Sequence, residues 1–277
     1  MDTKVKQLVD LLTQIPQSEL LLVVTGAGVS VASGIPTFRG TDKDAIWKHD
    51  VMTMATYDFF QREPLESWRW YLSRFEKVFN VKPNATHFAI AQLEKWQQQR
   101  GEFLLVTQNI DTLHEQAGSK QMIKVHGSAD RVRCTRPGCK NAEPSGSLLR
   151  AKFDLEDFYR EPSNANLPRC PLCNAILRQH VLWFDEYYTS HDDYQFERVR
   201  SAAYKADTVI FIGTSFSVGV TDLIVRAAID NQAKIISIDP QPINASNGVT
   251  TITATSEELL PEVCQAMGLE IGKTAKQ

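Results

Sequence analysis

The chain has 277 residues, enough for one large domain or one domain with inserts. Hydrophobic residues make up 43 % and charged residues 23 %, the balance of an ordinary soluble globular protein. A formal net charge of −3 gives no basic excess for nucleic acid, and no apolar run approaches the roughly 20 residues that span a bilayer.

The N-terminus carries acidic residues and helical periodicity, without the apolar core or cleavage site of a signal peptide, so the cytoplasm is the expected compartment. Val5, Leu8, Val9, Leu11 and Leu12 predict a helix over residues 3–15. Residues 20–24, all Leu or Val, close on Thr25-Gly26 and read as a buried parallel strand. Further strands are expected at 103–107, 121–125, 207–212 and 234–238, with helical patterns at 86–98, 193–204, 219–231 and 256–267. Alternating strands and helices predict an α/β fold with a parallel sheet covered on both faces. Two stretches interrupt the alternation: an aromatic, helical one over 41–80, and 128–178, which holds paired cysteines. Both read as inserts at one edge of the sheet.

Gly26-Ala27-Gly28-Val29-Ser30 follows the first strand. Glycines there let the backbone approach a ligand, and a following helix would offer N–H groups to a pyrophosphate. The spacing departs from G-x-G-x-x-G, and close packing alone is an equal reading. Beyond it lie Gly34-Ile35-Pro36-Thr37-Phe38-Arg39-Gly40, where Arg39 suits either a phosphate or a surface ion pair.

Four of five cysteines form two close pairs, Cys134-x4-Cys139 and Cys170-x2-Cys173. Four thiolates on two turns match a tetrahedral structural zinc site, against the plainer reading of four unligated thiols. Cys264 sits in a helical pattern and reads as core. Gln108-Asn109-Ile110-Asp111 follows residues 103–107, at the strand end where parallel sheets bind ligands. Asn109 and Asp111 suit a polar ligand or a helix cap. His114, inside the next helix, reads as structural. His126-Gly127 ends the following strand; its histidine suits a general base or a satisfied scaffold position.

Together these motifs resemble the sirtuin family. The pieces are Gly26-Ala27-Gly28-Val29-Ser30, Gly34-Ile35-Pro36-Thr37-Phe38-Arg39, Gln108-Asn109-Ile110-Asp111-Thr112-Leu113-His114, His126-Gly127, both cysteine pairs, Val181-Leu182-Trp183-Phe184 and Gly213-Thr214-Ser215. They keep the family's order over about residues 20–265. The resemblance implies a Rossmann-like, doubly wound large part (1–40, 100–127, 179–277) within one catalytic domain. A helical insert (41–99) and a zinc module (128–178) would form the small part, with NAD and acyl-lysine entering between the two.

The implied reaction is NAD-dependent removal of acyl groups from protein lysine side chains, releasing nicotinamide and O-acyl-ADP-ribose. In the family the acyl oxygen attacks the ribose carbon that bears nicotinamide. Asn109 and Asp111 would orient the nicotinamide ribose, and His126 would be the base on a ribose hydroxyl. The cofactor contacts implied are Gly26, Ala27, Gly28, Ser30, Pro36, Thr37, Phe38, Arg39, Trp47, Gln108, Asn109, Ile110, Asp111, Gly213, Thr214, Ser215 and Asp239. Cys134, Cys139, Cys170 and Cys173 would hold one structural zinc ion. The implied partners are acyl-lysine proteins or peptides, with no nucleic acid or membrane.

Tyr71-x-x-Arg74 in the pattern of residues 64–75 resembles the family branch that removes succinyl or malonyl groups, since a guanidinium beside a phenol grips a carboxylate. Ala55 would leave room for the longer acyl chain. Val181, Trp183 and Phe184 would contact substrate. Three positions depart from the family: Gln179 where proline is common, Asp185 where glycine is usual, and Asp239 where asparagine is frequent. Asp185 is expected to put charge close to the peptide. The competing readings are an NAD glycohydrolase or mono-ADP-ribosyltransferase using the same residues, a non-catalytic nucleotide sensor, and an ordinary NAD oxidoreductase.

Overall fold

The computed structural model describes residues 1–37, 51–142, 146–149, 155–241 and 248–271. In chain order the elements are α1 (Thr3–Thr13), β1 (Leu20–Thr25), a 3-10 turn (Ala27–Ser33), α2 (Val51–Met54), α3 (Tyr57–Arg62), α4 (Pro64–Phe79), α5 (Ala85–Gln98) and β2 (Glu102–Thr107). Then come α6 (Leu113–Ala117), β3 (Met122–Lys124), β4 (Gly127–Cys134), β5 (Leu148–Leu149), α7 (Glu156–Arg160), β6 (Leu177–Val181) and a second 3-10 turn (Asp192–Tyr194). The chain continues through α8 (Phe196–Lys205), β7 (Thr208–Ile212), α9 (Gly219–Asp230), β8 (Lys234–Asp239), β9 (Val249–Thr253) and α10 (Ser256–Ala266).

Six strands form a sheet in the order β3-β2-β1-β7-β8-β9, every pair parallel. This is the doubly wound order, in which the chain reverses direction across the sheet between β1 and β7. Because side chains alternate across a strand, β1 divides its residues between two cores. Leu21 and Val23 pack with α1, α5 and α10 on one face. Leu20, Leu22 and Val24 pack with α8 and α9 on the other. Double coverage is why β1 reads as an unbroken apolar run. β9, by contrast, is an edge strand whose five residues include three threonines, with Ile252 buried. Its weak apolar signal left it out of the strands expected from sequence.

A second, three-stranded sheet has the order β5-β4-β6 and is antiparallel. The two inserts share one core. Val51, Ala55, Phe60, Trp68, Tyr71 and Phe75 of the helical stretch pack with Val132, Leu177, Val181 and Trp183 around the small sheet. α5, which the boundary expected at residue 99 put with the insert, lies on the large sheet instead, where Ala89, Ile90 and Leu93 join the α1–α10 core. β4 and β6 cross the expected boundaries at 127/128 and 178/179, because their ladder belongs wholly to the small sheet. Among the described residues no helix is long and apolar enough to cross a membrane.

Burial holds several histidines neutral. His87 and His180 are pushed down from 6.5 to about 4, chiefly by desolvation, and His114 is pushed well below its ordinary value for the same reason. Lowered folded values mean that the unfolded chain binds the extra protons between pH 6.5 and 4. Stability is therefore present above 6.5 and is lost as pH falls through that window. Denaturant unfolding at pH 7 and pH 5 should show a loss on the order of 1–2 kcal/mol at the lower pH for each of His87 and His180; equal stabilities would mean the rings are not held neutral.

Candidate active site and metal centre

The loops after β1 and β7 meet where the strand order reverses. Gly28 N–H donates to the Gly213 carbonyl at 2.9 Å, and Gly26 N–H to the Ile212 carbonyl at 3.2 Å. A Cβ on Gly26 would lie 2.7 Å from the Gly213 oxygen, and one on Gly28 2.7 Å from the Gly213 Cα. Gly213 itself has φ +58°. The glycines therefore serve close packing between two backbones, and that packing sets the loops side by side at the crevice expected to hold a ligand.

The polar residues after β2 close onto this platform. Asn109 Nδ2 donates to the Gly26 carbonyl at 3.0 Å and to Ser30 Oγ at 3.1 Å. Ser30 Oγ in turn donates to Asp111 Oδ2 at 2.9 Å. Asp111 Oδ1 accepts the Leu113 N–H at 3.0 Å, so this carboxylate also caps the turn into α6. Gln108 Nε2 donates to Thr214 Oγ1 at 3.0 Å, bridging β2 to the β7 loop. Ala27, Ser30, Pro36, Arg74, Asn109 and Asp111 line one cavity, with Ile110 among its walls. Thr37 follows this wall, Ser215 is exposed and bonded to Ser217 Oγ at 2.6 Å, and Asp239 lies half-buried at the end of β8. Phe38, Arg39 and Trp47 lie outside the described residues.

His126 sits on the seam between the two sheets. Its Nδ1 lies 2.8 Å from the Gln108 carbonyl, and its Nε2 lies 3.2 Å from the Tyr188 hydroxyl. A carbonyl only accepts, so Nδ1 carries the proton and Nε2 keeps its lone pair. Desolvation lowers the ring from 6.5 to about 4, partly offset by the Gln108 bond. His126 is thus a neutral base at physiological pH. Tyr188, which stacks on this ring at 5.7 Å, was not among the residues singled out from sequence; a lone tyrosine in an irregular segment carries no pattern. His114, read as structural, is buried and 3.1 Å from Thr25 Oγ1.

The segment after β6 runs beside the base. Val181 pairs with Gly127, and Leu182 N–H donates to the His126 carbonyl at 2.9 Å. Val181 and Trp183 are buried, whereas Phe184 is exposed and donates its N–H to the Ala55 carbonyl at 3.0 Å. Glu186 anchors the segment from below. It accepts from Arg178 Nη1 at 2.5 Å, from Arg133 Nη2 at 2.9 Å and from Trp183 N–H at 3.0 Å. Asp185, expected from sequence to put charge close to the peptide, has its carboxylate engaged within the chain. Its carboxylate accepts the Tyr57 and Asp58 N–H groups at 2.7 and 3.0 Å, binding the unsatisfied donors at the start of α3. Arg74 reaches the cavity wall, with its guanidinium 3.9 Å from the Trp70 ring centroid. Tyr71 is buried in an aromatic cluster 6.0 Å from Trp183 and is not among the cavity's lining residues.

The four paired cysteines converge. Cys134 Sγ lies 3.4 Å from Cys173 Sγ, and Cys139 Sγ lies 3.7 Å from Cys170 Sγ. A disulfide needs about 2.05 Å, whereas thiolates around tetrahedral zinc at about 2.3 Å stand roughly 3.8 Å apart. The Arg136 N–H approaches Cys134 Sγ at 3.3 Å, and Asn141 Nδ2 approaches Cys170 Sγ at 3.5 Å, as donors stabilising thiolates do. The donor set fits one zinc ion with no open position. Stripping it with a strong chelator should expose residues 127–181 to amide hydrogen exchange while the six-stranded sheet stays protected; unchanged exchange would remove zinc from the small lobe's stability.

Comparison with known proteins accords with this arrangement. The family model described as "Sir2 family" matches residues 26–220. An NAD-dependent protein deacylase of Aeropyrum pernix is 37 % identical over 257 residues, 92 % of this chain and 95 % of that protein. NAD-dependent protein deacylase 1 of Archaeoglobus fulgidus is 40 % identical over 206 residues, 74 % of this chain and 75 % of that protein. Among solved structures, a Sir2 homolog–NAD complex superposes with a TM-score of 0.75 at 33 % identity, covering 97 % of this chain and 94 % of the other. The matched span runs from the glycine loop through the cysteine pairs and His126 to the β7 loop, and with relatives of this identity and coverage the chain belongs to the Sir2 family.

Proposed function

We propose that the chain is an NAD-dependent protein-lysine deacylase acting on acetyl and on acidic acyl groups such as succinyl and malonyl. The single observation carrying the reading is the neutral His126, its Nδ1 proton held by the Gln108 carbonyl and its Nε2 lone pair facing the Tyr188 hydroxyl. The curated relatives named NAD-dependent protein deacylases support it. Bound NAD supplies a ribose carbon bearing a cationic leaving group. The chain's part is position and one proton transfer. The backbones of Gly26, Gly28 and Gly213, with Thr214 and Ser215, face the phosphates and ribose. Asn109 and Asp111 orient the nicotinamide end, and Asp239 accepts from the adenosine ribose. His126 Nε2 takes a ribose hydroxyl proton once that hydroxyl replaces the Tyr188 hydroxyl. Val181, Trp183 and Phe184 lie along the acyl-lysine peptide.

Two observations bear on the acyl group. Arg74 lines the same cavity as Asn109 and Asp111, which supports a carboxylate at the end of the acyl chain. Ala55 is small and buried and accepts the Phe184 N–H, and it is not among the lining residues of that cavity. Tyr71 contributes as part of the aromatic wall on Trp183. Four thiols reserved for a metal need a reducing compartment, which supports the cytoplasm.

Nicotinamide release and peptide mass should be followed with NAD plus acetyl-lysine peptide, succinyl-lysine peptide, or no peptide. We expect release only with peptide; release without it would establish an NAD glycohydrolase instead. His126→Ala should lower turnover by roughly 10²–10⁴-fold with NAD affinity largely kept. In the wild type the acid limb of kcat/KM should lie below 6.5, because the folded ring loses its base form only as pH falls through about 4. Arg74→Met should lower the succinyl-to-acetyl ratio of kcat/KM at least about tenfold; an unchanged ratio would take Arg74 out of acyl recognition.

A further inference from the structure

A second group of metal-binding side chains lies away from the cleft. His180 comes from β6, and His191 and Asp193 from the 3-10 turn beside it; their donor atoms all lie within 4.8 Å of one another. His180 Nε2 is 3.1 Å from Asp193 Oδ2, and His191 Nδ1 is 3.9 Å from the same oxygen. Nitrogen and oxygen ligands at about 2.0–2.1 Å from a tetrahedral zinc ion stand roughly 3.3 Å apart. These two edges bracket that spacing and the third is bounded at 4.8 Å, so the triangle closes on an ion by contraction of its longer edges.

The His180 ring makes the cluster more than a coincidence of residue types. It is 1 % exposed, yet neither ring nitrogen has a hydrogen-bond partner among the described residues. The 3.1 Å approach of Nε2 to Asp193 Oδ2 is therefore a close contact without hydrogen-bond alignment, which is how two ligands of one ion meet. An unsatisfied buried polar group is costly and calls for a partner.

The neighbours orient the donors. His191 Nε2 faces the Gly146 carbonyl at 3.2 Å, which places the ring proton there and leaves Nδ1 as acceptor, now taking the Asp193 N–H at 3.1 Å. A backbone carbonyl fixing the far nitrogen of a ligand histidine is the usual outer-shell arrangement. Ser147 Oγ donates to Asp193 Oδ2 at 2.7 Å. Of the neighbouring cations, Arg133 is bonded to Glu186 at 2.9 Å, and Arg131 Nε donates to Ser147 Oγ at 2.8 Å. The Asp193 side chain is 39 % exposed, which gives an ion a path in and a water a fourth position.

We propose that His180, His191 and Asp193 form a second metal site, for a borderline transition-metal dication of the zinc class, separate from the four-cysteine site. None of the three lines the cavity at Asn109 and Asp111. Its consequence is positional. His180 directly precedes Val181, which opens the segment bonded to the His126 carbonyl through Leu182. An ion would fasten the turn Asp192–Tyr194 to β6 and stiffen the strand along which substrate is placed.

The test is a cobalt(II) titration of the full chain with zinc already in the cysteine site, read by metal analysis and visible absorption. We expect one added equivalent, with ligand-field bands but no thiolate-to-cobalt charge transfer. His191→Gln and Asp193→Asn should each lose that equivalent while keeping the zinc and the cooperative melt. Proton NMR of the cobalt-loaded wild type should show exchangeable, hyperfine-shifted imidazole N–H signals, a readout that needs no variant. Absence of these signals, no metal beyond the first ion, or an added equivalent that survives both substitutions would overturn the site.

Discussion

The contact between the β1 loop and the β7 loop is a backbone-on-backbone contact, and the rest of the site is built upon it. Gly26 and Gly28 approach Gly213 so closely that a side chain on either would enter occupied space. The two loops thereby become one surface at the reversal point of the sheet, where N–H groups and helix starts from both halves face a common crevice. Asn109 and Gln108 then attach the β2 loop to that surface, through the Gly26 carbonyl and Thr214. Ser30, in the 3-10 turn, receives from Asn109 and gives to Asp111, so three loops share one hydrogen-bonded cluster. A polar network of this kind is rigid because every buried member is satisfied.

The small lobe is held by different physics. Glu186 is the shared counter-charge of two buried guanidinium groups, Arg133 at 0 % and Arg178 at 2 % side-chain exposure. Removing one member of such a group strands the others in low dielectric, so the set behaves as a unit. It lies beneath Trp183, whose ring is 3.4 Å from the Arg178 guanidinium. The segment bearing Val181, Trp183 and Phe184 is thus fastened by charge below and by Asp185 to the start of α3. Asp185 makes sense in these terms: a carboxylate supplies acceptors for helix N–H groups that a glycine would leave to water.

His126 joins the two lobes. It follows β3 of the large sheet by one residue and precedes Gly127, the first residue of β4. Gly127 has φ +80°, and a Cβ there would meet the His180 carbonyl. The base is therefore placed by strands of both sheets at once, with its tautomer set by a carbonyl from the β2 loop.

Much of this was legible in the chain itself. Short apolar runs predicted five of the six parallel strands because those strands are buried on both faces, and hydrophobic period alone reports that condition. The two cysteine pairs announced a metal cluster because ligand spacing is local. Other features depend on residues far apart in sequence. α5 lies on the large sheet because its apolar face meets α10 and β2, which no local pattern states. Asp185 bonds to donors 128 and 127 positions away, and Tyr188 reaches His126 across 62. His180, His191 and Asp193 come from a strand and a separate turn, and only packing brings them within 4.8 Å. The sequence determined the fold class, the four-cysteine cluster and the identity of the polar residues at the strand ends, because periodicity and short spacings act locally. The tertiary structure alone decided the pairing of the lobes, the protonation of His126 and the partners of Asp185, because burial and long-range contact set those energies.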